Sequence, residues 1–401
     1  MSDNGLMCAS VDEVEGRNPD AVHCQQLRAG IDATRRRSVV GKIGQRVASG
    51  GGWIFGAVTL IVGLSIVAVI PVLQFMSLGY MLESGGRVAQ TGRLRDGFIG
   101  IHQAARVGSF VLGIWLVLLP LRLVSSLAQS AQLIDPEGPV ARRWQTGVSV
   151  LTVLAALHVV AALLRGGKLR YFVWPFTNLV WLVRRLRRGG YYAEARDAFW
   201  DFGVDLRLPY YFWLGLRGFL GTMAWLVVPI TLFALGRKAP ALGFLGALGL
   251  GVVVLYLPFL QMRFAIANQL RALFQIGAVR EGFRRAPWAY AAALIATLTF
   301  AVPLYLLKIE IVPREAAWLP SLLFIALIFP ARLVTGWAYG RSQRSATRRR
   351  WFWRITGRLA MLPIAAAYVV IVFFSQYAAW EGVWSLYEQH AFLLPVPFVG
   401  L

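Results

Sequence analysis

The chain has 401 residues, of which 57% are hydrophobic and only 15% charged, and its formal net charge is +22. A soluble protein of this size carries about a quarter charged residues to cover its surface, so one water-soluble core is excluded. Nucleic acid is not expected as a partner either, because the arginines cluster between apolar blocks, which is where positive charge meets lipid.

A hydrocarbon core about 30 Å thick asks for roughly 20 apolar residues in a helix. Barrel strands would instead give alternating segments of about 10 residues. Runs such as Val58–Val72 and Leu242–Leu260 do not alternate. The expected fold class is therefore all-α, a multi-pass transmembrane helical bundle of seven or eight spans with cytoplasmic interfacial helices. Residues 1–50 read as a disordered polar and basic tail, 51–380 as the helical membrane domain, and 381–401 as a short C-terminal tail.

The tail holds both cysteines, Cys8 and Cys24, which build neither a disulfide framework nor a metal knuckle, and His23 adds no second ligand pair. No cofactor or metal is expected. The tail ends in Arg35-Arg36-Arg37, Lys42 and Arg46, a basic juxtamembrane stretch. Gly50-Gly51-Gly52 reads as a flexible joint and not as a phosphate loop, since no Gly-Lys-Ser/Thr follows. The first apolar block begins near Trp53, too far in for a cleavable signal peptide, so the first span is expected to be an uncleaved anchor.

Eight apolar blocks follow. Trp53–Leu82 is broken by Pro71, and Val107–Leu127 carries Arg122. Thr146–Leu164 comes after a turn at Asp135-Pro136-Glu137-Gly138-Pro139 and contains His158. Pro209–Leu235 carries Arg217, and Leu242–Met262, Trp288–Leu307, Trp318–Tyr339 and Ile355–Tyr377 complete the series. Grouped alternately, one set of connecting loops holds 24 Lys and Arg and the other 6. Cytoplasmic loops are the basic ones, so the first set is expected inside a plasma or inner membrane and the C-terminal tail outside. The basic N-terminal tail conflicts with a single first crossing, and an irregular first block around Pro71 is expected to resolve it.

A short pattern recurs: Arg95-Asp96-Gly97-Phe98, Arg196-Asp197-Ala198-Phe199 and Arg280-Glu281-Gly282-Phe283, each with a proline upstream at Pro71, Pro175 or Pro258. An acid at a helix start would meet free N–H groups and the positive dipole end, while Arg would reach lipid phosphate and Phe the acyl boundary. The expected role is an interfacial helix-start device, with a lipid or substrate clamp as the sharper alternative. A second echo pairs Pro120-Leu121-Arg122 with Pro330-Ala331-Arg332.

Pro71 followed by Leu78-Gly79-Tyr80-Met81-Leu82, a Gly-rich basic linker and Asp96-Gly97-Phe98 resembles the bacterial and archaeal membrane family called domain of unknown function 4013, over roughly Trp53–Arg285. That resemblance implies a multi-pass membrane protein with no established activity. The copy at Arg196 departs from it at Ala198, and the spans after Trp288 have no clear counterpart.

Charges within spans are costly and mark function, so Arg122, Arg217 and Arg332 join Arg95, Asp96, Arg196, Asp197, Arg280 and Glu281 as candidate lipid or substrate contacts. Arg217 is expected to face a polar cavity or anionic lipid, and the lone His158 to bond between helices. Gly243, Ala247 and Gly251, four apart, are a small-residue face for close helix packing, within the chain or in a homo-oligomer. Arg348-Arg349-Arg350-Trp351-Phe352-Trp353-Arg354 reads as an interfacial belt and Tyr171–Arg188 as an in-plane amphipathic helix. No nucleophile elbow, His-Glu-x-x-His or phosphate loop is present, and no catalytic residue is assigned. The expected function is non-enzymatic contact with anionic lipid on the cytoplasmic face. The alternative is a permease with a path between repeats, which would need a polar cavity near Arg217, Gln261 or His158.

Overall fold

The computed structural model describes residues 49–174, ten positions between 177 and 201, and residues 203–236, 238–306, 318–378 and 386. The chain divides into two compact units, Met1–Phe55 and Gly56–Leu401. Of the first, only residues 49–55 are described, as the opening of a helix; the second carries the architecture. The expectations for Cys8, Cys24, His23, the tail arginines, Arg185, Arg188, Ala198 and the C-terminal tail apart from Leu386 lie outside the described residues.

The membrane domain is all-helical where described. Its helices are α1 (Ser49–Val69), α2 (Gln74–Thr91), α3 (Ile101–Ile134), α4 (Pro139–Leu164), α5 (Leu169–Val173) and α6 (Leu208–Leu235). They continue with α7 (Pro240–Ala267), α8 (Ile276–Arg285), α9 (Pro287–Leu306), α10 (Trp318–Arg344) and α11 (Trp351–Ala378). Seven of these (α1, α3, α4, α6, α7, α10 and α11) are long and apolar enough to cross a membrane, and α8 with α9, bent by 112°, makes an eighth candidate. In hydrocarbon every backbone N–H and C=O must be satisfied within the chain, which drives these blocks into helices. Pro139, Pro209 and Pro240 sit in the first turn of α4, α6 and α7, where a missing N–H costs nothing.

Two expectations are corrected. Residues 50–52 are helical and form no flexible joint; in an apolar setting, exposing backbone groups costs more than the roughly 1 kcal/mol per residue that glycine takes from a helix. Trp53–Leu82 is not one element. α1 ends at Val69, Pro71 supplies no donor, and Val72 takes a left-handed φ of 70° before α2 starts.

The new helix, α2, is the centre of the bundle. It packs most extensively on α6 and α10, and then on α7. Glycines make those crossings: a Cβ on Gly79 would overlap the Tyr211 carbonyl of α6, and one on Gly215 the Phe75 carbonyl of α2. Gly336 and Gly340 of α10 meet the Gly85 and Ala89 carbonyls in the same way. At the far end of α6 and α7, Gly236 and Gly243 face each other. Gly243 is thus used within the chain, whereas Gly251 meets nothing within 4 Å.

The helices α3, α4 and α5 form a separate group at the periphery, with α3 and α4 paired and α5 folded against them. Phe172 of α5 closes over Gly113 of α3.

Candidate functional site

The termini of α2, α7, α8, α9, α10 and α11 gather at one end of the bundle. Arg344 of α10 donates from Nη1 to the Ala89 carbonyl of α2 at 3.2 Å. The Arg349 N–H donates to the Arg284 carbonyl of α8 at 2.9 Å, and the Arg348 Nε to Glu281 Oε1 at 2.9 Å.

Between these ends lies an open cleft of about 550 Å³, lined among others by Arg285, Trp288, Arg341, Arg344, Arg349 and Trp353. Local sequence explains its walls. The Ala286 N–H closes α8 on the Gly282 carbonyl, and Pro287 opens α9 after the sharp bend. The last turn of α10 contributes Arg341 and Arg344, and the first turn of α11 contributes Trp353. None of the described lining residues is acidic.

The four guanidiniums are held by different means. Arg344 caps the negative dipole end of α2. Arg285 lies 3.3 Å from Glu281. Arg341 stacks 5.6 Å over the Trp337 ring. Arg349 is anchored by its backbone and has an exposed side chain. Glu281 also lies 3.6 Å from Arg284. Its carboxylate also accepts the hydrogen bond from Arg348. Chemically, the cleft is a fork-shaped donor set for phosphate oxygens, flanked by two indoles of the kind that favour the headgroup layer.

The residues singled out from sequence fall in several places. Arg95 is exposed and Asp96 half-buried in a 3-10 turn, Leu94–Gly97. Neither caps α3, whose N-cap is Gly100 with no side-chain bond. Glu281 lies late in α8, and Asp197 pairs with its neighbour Arg196 at 2.9 Å on the surface. The helix-start role is therefore corrected for Asp96 and Glu281; the start of the element that holds Asp197 lies outside the described residues. What the two fully described copies share is burial. Gly97 docks on Leu333 and Gly282 on Tyr290, both too close for a Cβ, while Phe98 and Phe283 pack edge-on to Phe329 and Tyr290. Phe98 and Phe283 are half-buried and pack against the core cluster.

Arg122 is exposed on α3. Arg332, its partner in the sequence echo, is 3% exposed and donates to Gln261, which in turn donates to the Thr222 hydroxyl at 2.7 Å. Two similar segments thus have opposite environments. Arg217 donates from Nη2 to the Asn268 side chain at 2.9 Å and from Nη1 to its carbonyl at 3.4 Å, so it reaches the C-terminus of α7.

His158 bridges α4 to the segment after it, as expected: Nε2 bonds the Phe172 carbonyl at 2.9 Å and Nδ1 faces the Asn178 amide at 3.4 Å. Of the proposed in-plane helix over Tyr171–Arg188, the described residues include a helical turn ending at Val173. None of the nine candidates is among the described lining of the basic cleft; Glu281 pairs with Arg285, which is. Of the cleft arginines, Arg349 belongs to the interleaved Arg and Trp belt of 348–354, the one sequence signal that points there; Arg285, Arg341 and Arg344 stand in no candidate motif. Among the described residues, no group of three His, Cys, Asp or Glu is placed to hold a metal ion.

Neither a family model, nor a curated protein, nor a solved structure matches this chain.

Proposed function

We propose that this is a non-enzymatic integral membrane protein that holds anionic lipid at its cytoplasmic face, through the cleft of Arg285, Arg341, Arg344 and Arg349. The observation that carries this reading is the convergence of four guanidiniums from three elements between Trp288 and Trp353. Phosphate headgroups match such forks, and indoles fix the depth at which they sit. The excess of Lys and Arg in one set of loops supports this end as the inside of a plasma or inner membrane. The same proposal keeps the C-terminal tail outside, kinship with domain of unknown function 4013 on Gly79-Tyr80 and Asp96-Gly97, and a homo-oligomer through the open Gly251.

The permease reading draws on Thr222, Gln261 and Arg332 in the bundle interior. These groups bond to one another at exposures of 0%, 0% and 3%, which favours a structural polar core over a path.

Lipid co-purification tests the leading reading. The full chain, extracted from membranes of mixed phosphatidylglycerol and phosphatidylethanolamine, is expected to carry phosphatidylglycerol in excess. R341Q/R349Q, which spares the arginines that cap α2 and pair with Glu281, is expected to lose most of that excess. An unchanged lipid profile in the double variant would overturn the proposal.

A further inference from the structure

A second cleft, of about 330 Å³, lies where α7, α8, α9 and α11 meet, with Arg284 in its lining while the adjacent Arg285 lines the first. Its polar lip is Arg280, Arg284 and Arg358, and its walls include Leu255, Met361 and Leu362. The guanidiniums are held mainly by rings. Arg280 donates to the Tyr256 hydroxyl at 3.2 Å and stacks over that ring, and Arg358 lies 5.7 Å over Phe283. Each guanidinium has five N–H donors, so such ring contacts leave donors for a ligand. Glu281 reaches only Arg284 of the three in the pairs described, at 3.6 Å.

The walls set this cleft apart from the first. Leu255 sits on α7 and Met361 and Leu362 on α11, both candidate spans, and Leu362 is 53% exposed. The slot thus runs from three cations down onto aliphatic side chains of membrane-spanning segments. The first cleft is walled by Ala, Pro and Trp around its arginines and offers charge without an aliphatic track.

We infer that the second cleft is a binding site for one glycerophospholipid with a phosphomonoester head, its phosphate on Arg280, Arg284 and Arg358 and the start of an acyl chain along Leu255, Met361 and Leu362. Three cations against one shared carboxylate suit a dianionic phosphate better than a phosphodiester. The phosphate chemistry would also admit a free organophosphate; the aliphatic wall assigns the lipid. This inference rests on the reading of the basic end as lipid-facing.

Native mass spectrometry of the full chain in detergent, titrated with dioleoylphosphatidate, tests it. One phosphatidate is expected to stay bound in the wild type and in R341Q/R349Q. Its retention is expected to fall by about tenfold or more in R280Q/R358Q, which removes two charge-assisted contacts. A similar fall is expected in L362W, which obstructs the slot without changing charge. Glycerol 3-phosphate at the same concentration is expected to leave it in place. Unchanged retention in both R280Q/R358Q and L362W would overturn the inference, as would displacement by glycerol 3-phosphate. Loss of lipid in R341Q/R349Q alone would remove this site and leave the first; loss in R280Q/R358Q alone, with an unchanged lipid profile in R341Q/R349Q, would do the reverse.

Discussion

The α3–α4 hairpin and the group of α2, α6, α7 and α10 are built from similar apolar stretches, yet one lies outside and the other inside. In its most apolar window α3 is only 6% buried, whereas the less apolar α10 is 56% buried. Helix α2, not apolar enough to count as a span, has most of its residues buried. In lipid, apolar surface gains nothing by leaving the solvent, so hydropathy does not decide which helix goes to the centre. Close approach and polar pairing decide it. The central helices carry the glycines that let backbones touch and the side chains, Thr222, Gln261 and Arg332, that need partners.

The sharpest break of this comparison is one substitution made in each region. Gly79→Leu is expected to separate α2 from α6, because its side chain has only the backbone of Tyr211 and Gly215 to occupy. Overpacking typically costs up to about 3 kcal/mol, and occasionally more, and here the obstacle is backbone that cannot move aside, which is expected to abolish a monodisperse peak in detergent gel filtration. Gly147→Leu on α4, where nothing lies within 4 Å, is expected to leave the melting temperature unchanged. Equal damage from both would mean that the two regions do not differ in this way.

This difference also sets what was legible in the sequence. Span number and type followed from apolar length, and the break at Pro71 from its missing donor. The central place of α2 did not, because Gln74–Leu82 reads as the tail of the first apolar block, and Gln74, Ser77, Glu83 and Ser84 give it too little hydropathy to stand as a span of its own. Nor did the fate of Arg332: Pro120-Leu121-Arg122 and Pro330-Ala331-Arg332 look alike, and only neighbours distant in the chain put one outside and the other inside. The basic cleft was hidden for the same reason. Arg285 and Arg349 are far apart in sequence: Arg349 reads as part of an interfacial belt, and Arg285 as one more positive charge in an inside loop.

The polar pairing sharpens the comparison at a smaller scale. Gln261→Leu removes one acceptor of Arg332 and one donor to Thr222. A charged group that loses a buried partner costs on the order of 2–3 kcal/mol, read as a lower melting temperature in detergent. Adding Arg332→Met is expected to recover most of the loss, since Thr222 keeps its own bond to the Gly218 carbonyl at 2.8 Å and no buried charge is left. A double variant as unstable as the single one would mean that Arg332 is held in place by something other than this pair.

The smallest expected effect lies in the peripheral hairpin, where a polar bridge does locally what the glycines do in the core. His158 Nε2 donates to the Phe172 carbonyl, and its Nδ1 faces the Asn178 amide. Asn178 is tied in turn to Arg165 at 3.1 Å and to the Tyr171 carbonyl. His158→Leu keeps the apolar volume and deletes both ring bonds, a cost of about 1 kcal/mol. Because the hairpin touches the core group sparsely, that cost is expected to appear as several-fold faster amide exchange in Leu169–Val173 with no change at Gln74–Thr91. Faster exchange spreading into Gln74–Thr91 would show that the hairpin and the core unfold as one unit, which neither the sparse contacts between them nor the self-contained bridge at His158 predicts.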